Sequence, residues 1–341
     1  MNRLRIAVMS LLVLVAGSAG AWPAATAAGA ADATAASVPP SRWVAVSVAT
    51  LWVGPGLARP VDAPSAASPA EPRAWVAGMT IAQKRWLVGK LETQALYGTQ
   101  VCLLATSGAW SRVAVPSQPT PRNHWGYPGW LPTAQLTEEP PETPLAAAPR
   151  TAVVRRPTAW LWETPTLSGR ILEISYGTRL PAVSWTPTSV EVVLLDGQHR
   201  YVRRSAVALH RQGTAWPELT GSRLVTEAKR FRGLQYLWAG TSGFGFDCSG
   251  FTHLVYRALG TIIPRDAGAQ RSMGRRVARS SLHPGDLVFF RAPSGVIHHV
   301  GMYTGGGRMI HAPRTGRAVQ LTSIYGVPYS AEFAGGRRYA R

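Results

Sequence analysis

From Trp43 to about Leu136 the apolar residues fall into short runs (Trp43 to Val48, Gln100 to Ala105, Trp110 to Val115 and Gly129 to Leu131), separated by Gly, Pro and Asp. Runs this brief among dense turn residues predict the strands of a small all-β barrel or sandwich. A second β-type unit is expected from Thr151 to about Leu209. Its strands fall at Thr151 to Val154, Ala159 to Trp162, Val190 to Leu195 and Arg200 to Val202, with Asp196-Gly197 as a hairpin turn. The texture changes after Trp216-Pro217. Arg223 to Phe231 has helical spacing, and Ser249 to Leu259 reads as a helix ended by Gly260. Strands return at Asp286 to Phe290, Ile297 to Tyr303, Arg308 to His311 and Ala318 to Leu321. A helix-first segment leading into an antiparallel sheet predicts an α+β domain of about 120 residues.

A chain of 341 residues, 46% apolar with 13 Trp, has material for more than one core. The first residues order themselves as a basic stretch (Met1 to Arg5), an apolar stretch (Ile6 to Val15) and small residues (Ala16 to Ala21). That order predicts a secretory signal peptide over 1–21, too short for a permanent membrane span. The expected divisions are then a flexible leader over 22–40, a first β domain over 41–137, a Pro- and Glu-rich linker over 138–150, a second β domain over 151–210 and the α+β domain over 220–341. The expected location is extracytoplasmic, in the periplasm or cell wall.

A formal charge of +19, nearly all from arginine, suits an anionic partner. For an exported protein, anionic wall polymers fit better than nucleic acid, because the arginines are scattered and form no readout motif. Only Cys102 and Cys248 occur, which excludes a disulfide framework. Cys102 lies in the apolar run Val101-Cys102-Leu103-Leu104 and is expected to be a small buried residue.

Cys248 is different. It follows a Gly-rich turn, Phe244-Gly245-Phe246-Asp247, and opens an apolar helix. Unpaired N–H groups and the helix dipole favour an anion there, so the thiolate is expected to form more readily than at the ~8.5 of a free thiol. Downstream, Ile297 to Tyr303 and Arg308 to His311 read as two strands joined by a glycine turn, which can bring a histidine from each onto one face. One imidazole would take the thiol proton and the other would orient it. Zinc is disfavoured, since there is neither a paired Cys spacing nor a His-Glu-x-x-His.

Six motifs occur in order: Leu234 to Gly240, Phe246-Asp247-Cys248-Ser249-Gly250, Ile263-Pro264-Arg265, Pro284 to Phe290, His299-Val300-Gly301-Met302-Tyr303 and Ile310-His311-Ala312. Together they resemble the NlpC-type cell-wall peptidases, a papain-like family, over roughly residues 222 to 330. The resemblance implies Cys248 as nucleophile, His299 as general base and His311 as the orienting residue. The family histidine directly precedes Val-Gly, which selects His299 and turns His298 to the opposite strand face. It further implies that Asp247, Ser249, Tyr236 and Trp238 hold the substrate's L-alanine end. Asp247 reads equally as a helix cap. The Tyr236 hydroxyl is a candidate donor to the oxyanion.

Ala95 to Val101 and Gly126 to Pro132 are similar to the bacterial SH3-like domains that precede such catalytic domains; the second β unit resembles them more loosely. In relatives with this arrangement the first barrel covers the cleft and lends it a Glu and a Tyr, here Glu92 and Tyr127. A cleft closed in that way admits only peptides with a free N-terminal L-alanine. The implied reaction is hydrolysis of the γ-D-glutamyl–diamino acid bond in peptidoglycan stem peptides, a thiol protease activity that needs no cofactor. The competing readings are a non-catalytic wall-binding protein and an amidase or acyltransferase on the same scaffold.

Overall fold

The computed structural model describes residues 38–138 and 148–340. The expected signal peptide, all of the leader before residue 38 and positions 139–147 of the linker lie outside the described residues. Among the described residues, no helix is long and apolar enough to cross a membrane.

The first sheet runs Leu91–Leu96, Val48–Trp52, Tyr127–Pro132, Trp110–Val115, Gln100–Ser107, Ser41–Val44, Leu136–Thr137. The second runs Arg170–Ser175, Thr158–Trp162, His199–Arg203, Ser189–Val193, Arg179–Trp185, Arg150–Val154, Val207–Arg211. Counted along the chain these orders are 3-2-6-5-4-1-7 and 10-9-13-12-11-8-14, the same topology shifted by seven strands. A short 3-10 helix precedes the last strand of each, Thr133–Gln135 in one and Arg204–Ala206 in the other. Ser189–Val193 and His199–Arg203 pair antiparallel around the expected Asp196-Gly197 turn.

The β units differ from expectation in their strands and in one connection. The first unit adds Leu91–Leu96, and the run Trp43 to Val48 divides between Ser41–Val44 and Val48–Trp52. The second unit has three further strands, Arg170–Ser175, Arg179–Trp185 and Val207–Arg211. In the first, the connection between Val48–Trp52 and Leu91–Leu96 folds into three helices, Ala63–Ala66, Pro72–Gly78 and Ile81–Trp86. None exceeds seven residues, too few for a 3.6-residue repeat to declare itself. Their ends are well specified: Pro72 occupies a first turn, and Thr80 and Gln83 form a reciprocal capping box. Trp75, Val76, Met79 and Leu87 bury against Trp52 and Leu91, each large side chain contributing roughly 1.5–3 kcal/mol. Cys102 is half-buried rather than buried, because its strand turns that face toward the surface.

The remaining part places the helices Gly221–Lys229 and Cys248–Ala258 against a six-stranded antiparallel sheet, Arg275–Val277, Phe333–Arg338, Leu287–Arg291, Ile297–Gly305, Arg308–His311, Gln320–Ser323. Its core takes side chains from both β units. Tyr176 meets Phe231 edge-on at 4.9 Å and donates to Glu227 Oε2 at 3.1 Å, while Val48 and Leu96 pack nearby. The segment 237–242 is clamped by the strand Leu91–Leu96. Trp238 Nε1 donates to Leu91 O at 3.3 Å, and Gln94 Oε1 accepts from Thr241 N and Ser242 Oγ at 3.0 and 2.9 Å. The first β unit therefore packs directly on the segment that leads into Cys248.

Candidate active site

Cys248 is the first residue of its helix and Asp247 is the N-cap, accepting from Gly250 N at 2.6 Å. The helix start sits close against the preceding loop, since a Cβ on Gly250 would lie 2.2 Å from Gly240 O. Burial pushes the Cys248 thiol up to about 12, and the Asp247 charge adds to the shift. The backbone of Val300, then Arg265 and the backbone of Ser249, pull the other way. The expected depression of the thiol is thus overturned. The capping carboxylate brings negative charge to the helix end whose dipole would have favoured the thiolate, and the site removes water from the sulfur.

The backbone of Val300 lies beside the sulfur, so the strand that carries His299 runs past the start of the Cys248 helix. Strand alternation buries His299 and leaves His298 exposed, 3.2 Å from Glu332. His299 Nε2 lies 2.7 Å from His311 Nδ1, and His311 Nε2 lies 2.9 Å from Thr322 Oγ1. Gly301 makes room for this pair, because a Cβ there would lie 2.6 Å from Met309 Sδ and 3.2 Å from His311 Cβ. Burial holds His299 well below the ordinary imidazole value and brings His311 down to about 4. Burial thus favours the uncharged forms of the thiol and of both imidazoles. Tyr329 packs against both rings, tilted over His299 at 5.8 Å and edge-on to His311 at 5.4 Å.

Asp247 is committed more heavily than its sequence position suggests. Besides capping the helix, it receives Arg265 Nη2 on Oδ2 at 2.7 Å and Nη1 on Oδ1 at 3.2 Å. Arg265 is buried and also donates to Ser249 Oγ at 3.1 Å and Thr93 Oγ1 at 2.9 Å. Tyr236 is buried beside the sulfur, and its hydroxyl is kept protonated chiefly by burial, with the Asp247 charge adding to it. Trp238 is half-buried beside it.

Glu92 and Tyr127 converge through a residue that sequence reasoning missed. Arg122 grips the Glu92 carboxylate with both Nη atoms, at 2.7 Å for Nη2 to Oε1, and donates to the Tyr127 hydroxyl at 3.0 Å. That hydroxyl donates to Asp266 Oδ2 at 2.9 Å, next to Arg265 in the chain. The structure thus joins Glu92, Arg122, Tyr127 and Asp266 to the Arg265–Asp247 pair. Arg265 was visible only as part of a motif; Arg122 and Asp266 had no local signal.

A cavity of about 540 Å³ opens beside Tyr236 and Trp238, with Arg85, Arg314 and Arg317 in its wall. Among the described residues none of the three is in an ion pair. The arrangement offers a neutral thiol–imidazole pair, a protonated phenol beside the sulfur, and cations near the cleft.

Residues 233–338 match the NlpC/P60 family, and residues 154–210 match the YKFC SH3b2 domain. The gamma-D-glutamyl-L-lysine dipeptidyl-peptidase of Bacillus cereus is 44% identical, over 87% of this chain and 90% of its own length. A Bacillus subtilis protein of the same name is 36% identical, over 86% and 96%. The crystal structure of an NlpC/P60 family protein from Bacillus cereus superposes with a TM-score of 0.83 at 42% identity, covering 88% of this chain and all of that one. A chain so similar along nearly its whole length belongs to the NlpC/P60 family.

Proposed function

We propose that the protein is a cysteine peptidase that hydrolyses the γ-D-glutamyl–diamino acid bond of peptidoglycan stem peptides bearing a free N-terminal L-alanine. The observation that carries this reading is that Cys248, at a helix start, lies beside the backbone of the strand whose His299 contacts His311 and, through it, Thr322. The relatives' shared name supports the bond specificity.

In this reading Cys248 attacks the γ-carbonyl carbon and gives its proton to Nδ1 of His299, the nitrogen not engaged by His311. The Tyr236 hydroxyl and backbone N–H groups at the helix start donate to the oxyanion. His299 then returns the proton to the leaving amine, and water resolves the thioester by the reverse sequence. Tyr127, Asp266 and Glu92 face the substrate's ammonium, with Ser249 and Asp247 behind them held by Arg265. The arginines beside Tyr236 and Trp238 suit a substrate rich in carboxylates.

The catalytic part, 220–341, is papain-like in this reading, with the helix carrying the nucleophile and the sheet carrying the base. The two β units, 41–137 and 151–210, are both SH3-like barrels: the second matches such a domain, and the first repeats its strand order. Export through a signal peptide over 1–21, and association with anionic wall polymers through the basic surface, complete the proposal. Mass spectrometry of digests tests it. The free tripeptide L-Ala-γ-D-Glu-diamino acid should release L-Ala-γ-D-Glu, the N-acetylated tripeptide should resist, and preference for intact sacculi would contradict the closed cleft.

A further inference from the structure

Away from the Cys248 cleft, both β units and the far end of the Cys248–Ala258 helix border a second cavity of about 420 Å³. Trp43, Leu96 and Tyr97 reach it from the first unit, Leu180 and Leu194 from the second. Two cations enter this largely apolar space, Arg179 from the strand Arg179–Trp185 and Arg257 from the last turn of the helix. Among the described residues their hydrogen bonds go only to backbone: Arg179 Nη2 donates to Arg257 O at 2.8 Å, and Arg257 Nη1 to Gly177 O at 3.2 Å, while one face of the Arg179 guanidinium lies 4.7 Å over the Trp216 ring. Neither is in an ion pair among the described residues.

Nε of Arg179 and the hydroxyl of Thr178, both on residues of this cavity, are buried without a hydrogen-bond partner. The helix C-terminus accounts for one cation. It does not account for two, nor for unpartnered donors, each of which carries a desolvation cost. Burial pushes Arg257 down to about 10, with the Arg179 charge adding to it, and lowers Arg179 as well. Asp196, which follows the cavity residues Leu194 and Leu195 and whose charge reaches Tyr97, is exposed in its hairpin turn and does not itself line the cavity.

We propose that this cavity binds an oxyanion, a phosphate or carboxylate, carried on a small body with an apolar face. Two guanidiniums and the Thr178 hydroxyl supply charge-assisted donors for the anion, and Trp43 and Tyr97 supply flat walls for the body. Because the walls come from both β units and the Cys248 helix, the bound anion ties the three together.

Thermal unfolding and calorimetry of the full chain, titrated with inorganic phosphate, glycerol phosphate or acetate at constant ionic strength against chloride, test this. Wild type should show a saturable rise in Tm. R179Q should bind roughly tenfold more weakly, as expected for a lost hydrogen bond to a charged group, and T178V should also weaken binding. Tripeptide hydrolysis by R179Q should stay at the wild-type rate. Tighter binding of glycerol phosphate than of free phosphate assigns an organic phosphate, and acetate binding best assigns a carboxylate; free phosphate binding best contradicts the carried body. No saturable rise over chloride in wild type, or an equal rise in R179Q and T178V, overturns the proposal. These two variants decide the matter even where R257Q fails to fold.

Discussion

His311 stands between two partners, with Nδ1 2.7 Å from His299 Nε2 and Nε2 2.9 Å from Thr322 Oγ1. Gln320 Nε2 donates to the same threonine hydroxyl at 3.2 Å. One direction of donation makes His299 a base. His311 gives its Nε2 proton to Thr322, accepts at Nδ1 from His299, and so leaves Nδ1 of His299 free to take a proton.

Thr322→Val removes the acceptor that holds this tautomer. The expected result is a kcat lowered roughly five- to tenfold, the value of about 1 kcal/mol of hydrogen bonding, with KM unchanged and with activity restored in Thr322→Ser. His299→Ala should cost far more, roughly 10²–10⁴-fold. Steady-state kinetics of the three variants on the free tripeptide check the ordering.

The neutral resting pair has a chemical signature. With Cys248 pushed up to about 12 by burial and the Asp247 charge, few molecules carry a thiolate near neutrality. Iodoacetamide alkylation of Cys248 should therefore keep accelerating about tenfold per pH unit beyond the ~8.5 of a free thiol. A rate already flat at pH 6 would mean a preformed thiolate–imidazolium pair.

Acid should destabilise the fold through its buried imidazoles. Burial takes His253 down to about 3 and His311 to about 4. A lowered histidine pKa means that the unfolded chain takes up the proton first. Their contribution is complete above ~6.5 and is lost as pH falls through that value toward the folded-state values. Urea unfolding between pH 8 and pH 4 should show this decline, on the order of 1.4 kcal/mol per unit for each group. His311→Asn should flatten the slope.

Arg265 is 1% exposed and holds Asp247, whose side chain is 13% exposed. Arg265→Met leaves that carboxylate buried without its partner, and should destabilise by about 3–5 kcal/mol. The double variant with Asp247→Asn should recover part of the loss, which denaturant midpoints would reveal.

Much of this site was legible because its chemistry depends on local pattern. Cys248 at a helix start and the stop at Gly260, whose φ is +93°, follow from periodicity and turn chemistry, while the choice of His299 over His298 came with the family resemblance and strand alternation then turned His298 to the other face. Pairings made across the fold were not legible. Arg265 meets Asp247 from 18 residues away, and Arg122 meets Glu92 from 30, with no spacing rule to announce either contact. Thr322 escaped because the last strand, expected at Ala318 to Leu321, runs Gln320–Ser323 and so ends beyond the expected range. The thiol shift went the wrong way because the helix dipole can be read from sequence and burial cannot. The helices between residues 63 and 86 are too short to show a period, so their caps were the only signal available.

The most direct measurement is to trap the acyl-enzyme. The protein is mixed with excess free tripeptide, quenched in acid within the first turnovers, and mapped by mass spectrometry. An L-Ala-γ-D-Glu adduct joined through its γ-carbonyl to the Cys248 sulfur is expected, absent from Cys248→Ala together with all hydrolysis. Hydrolysis that persists in Cys248→Ala, or an adduct on any other side chain, would contradict the assignment of this thiol as the nucleophile.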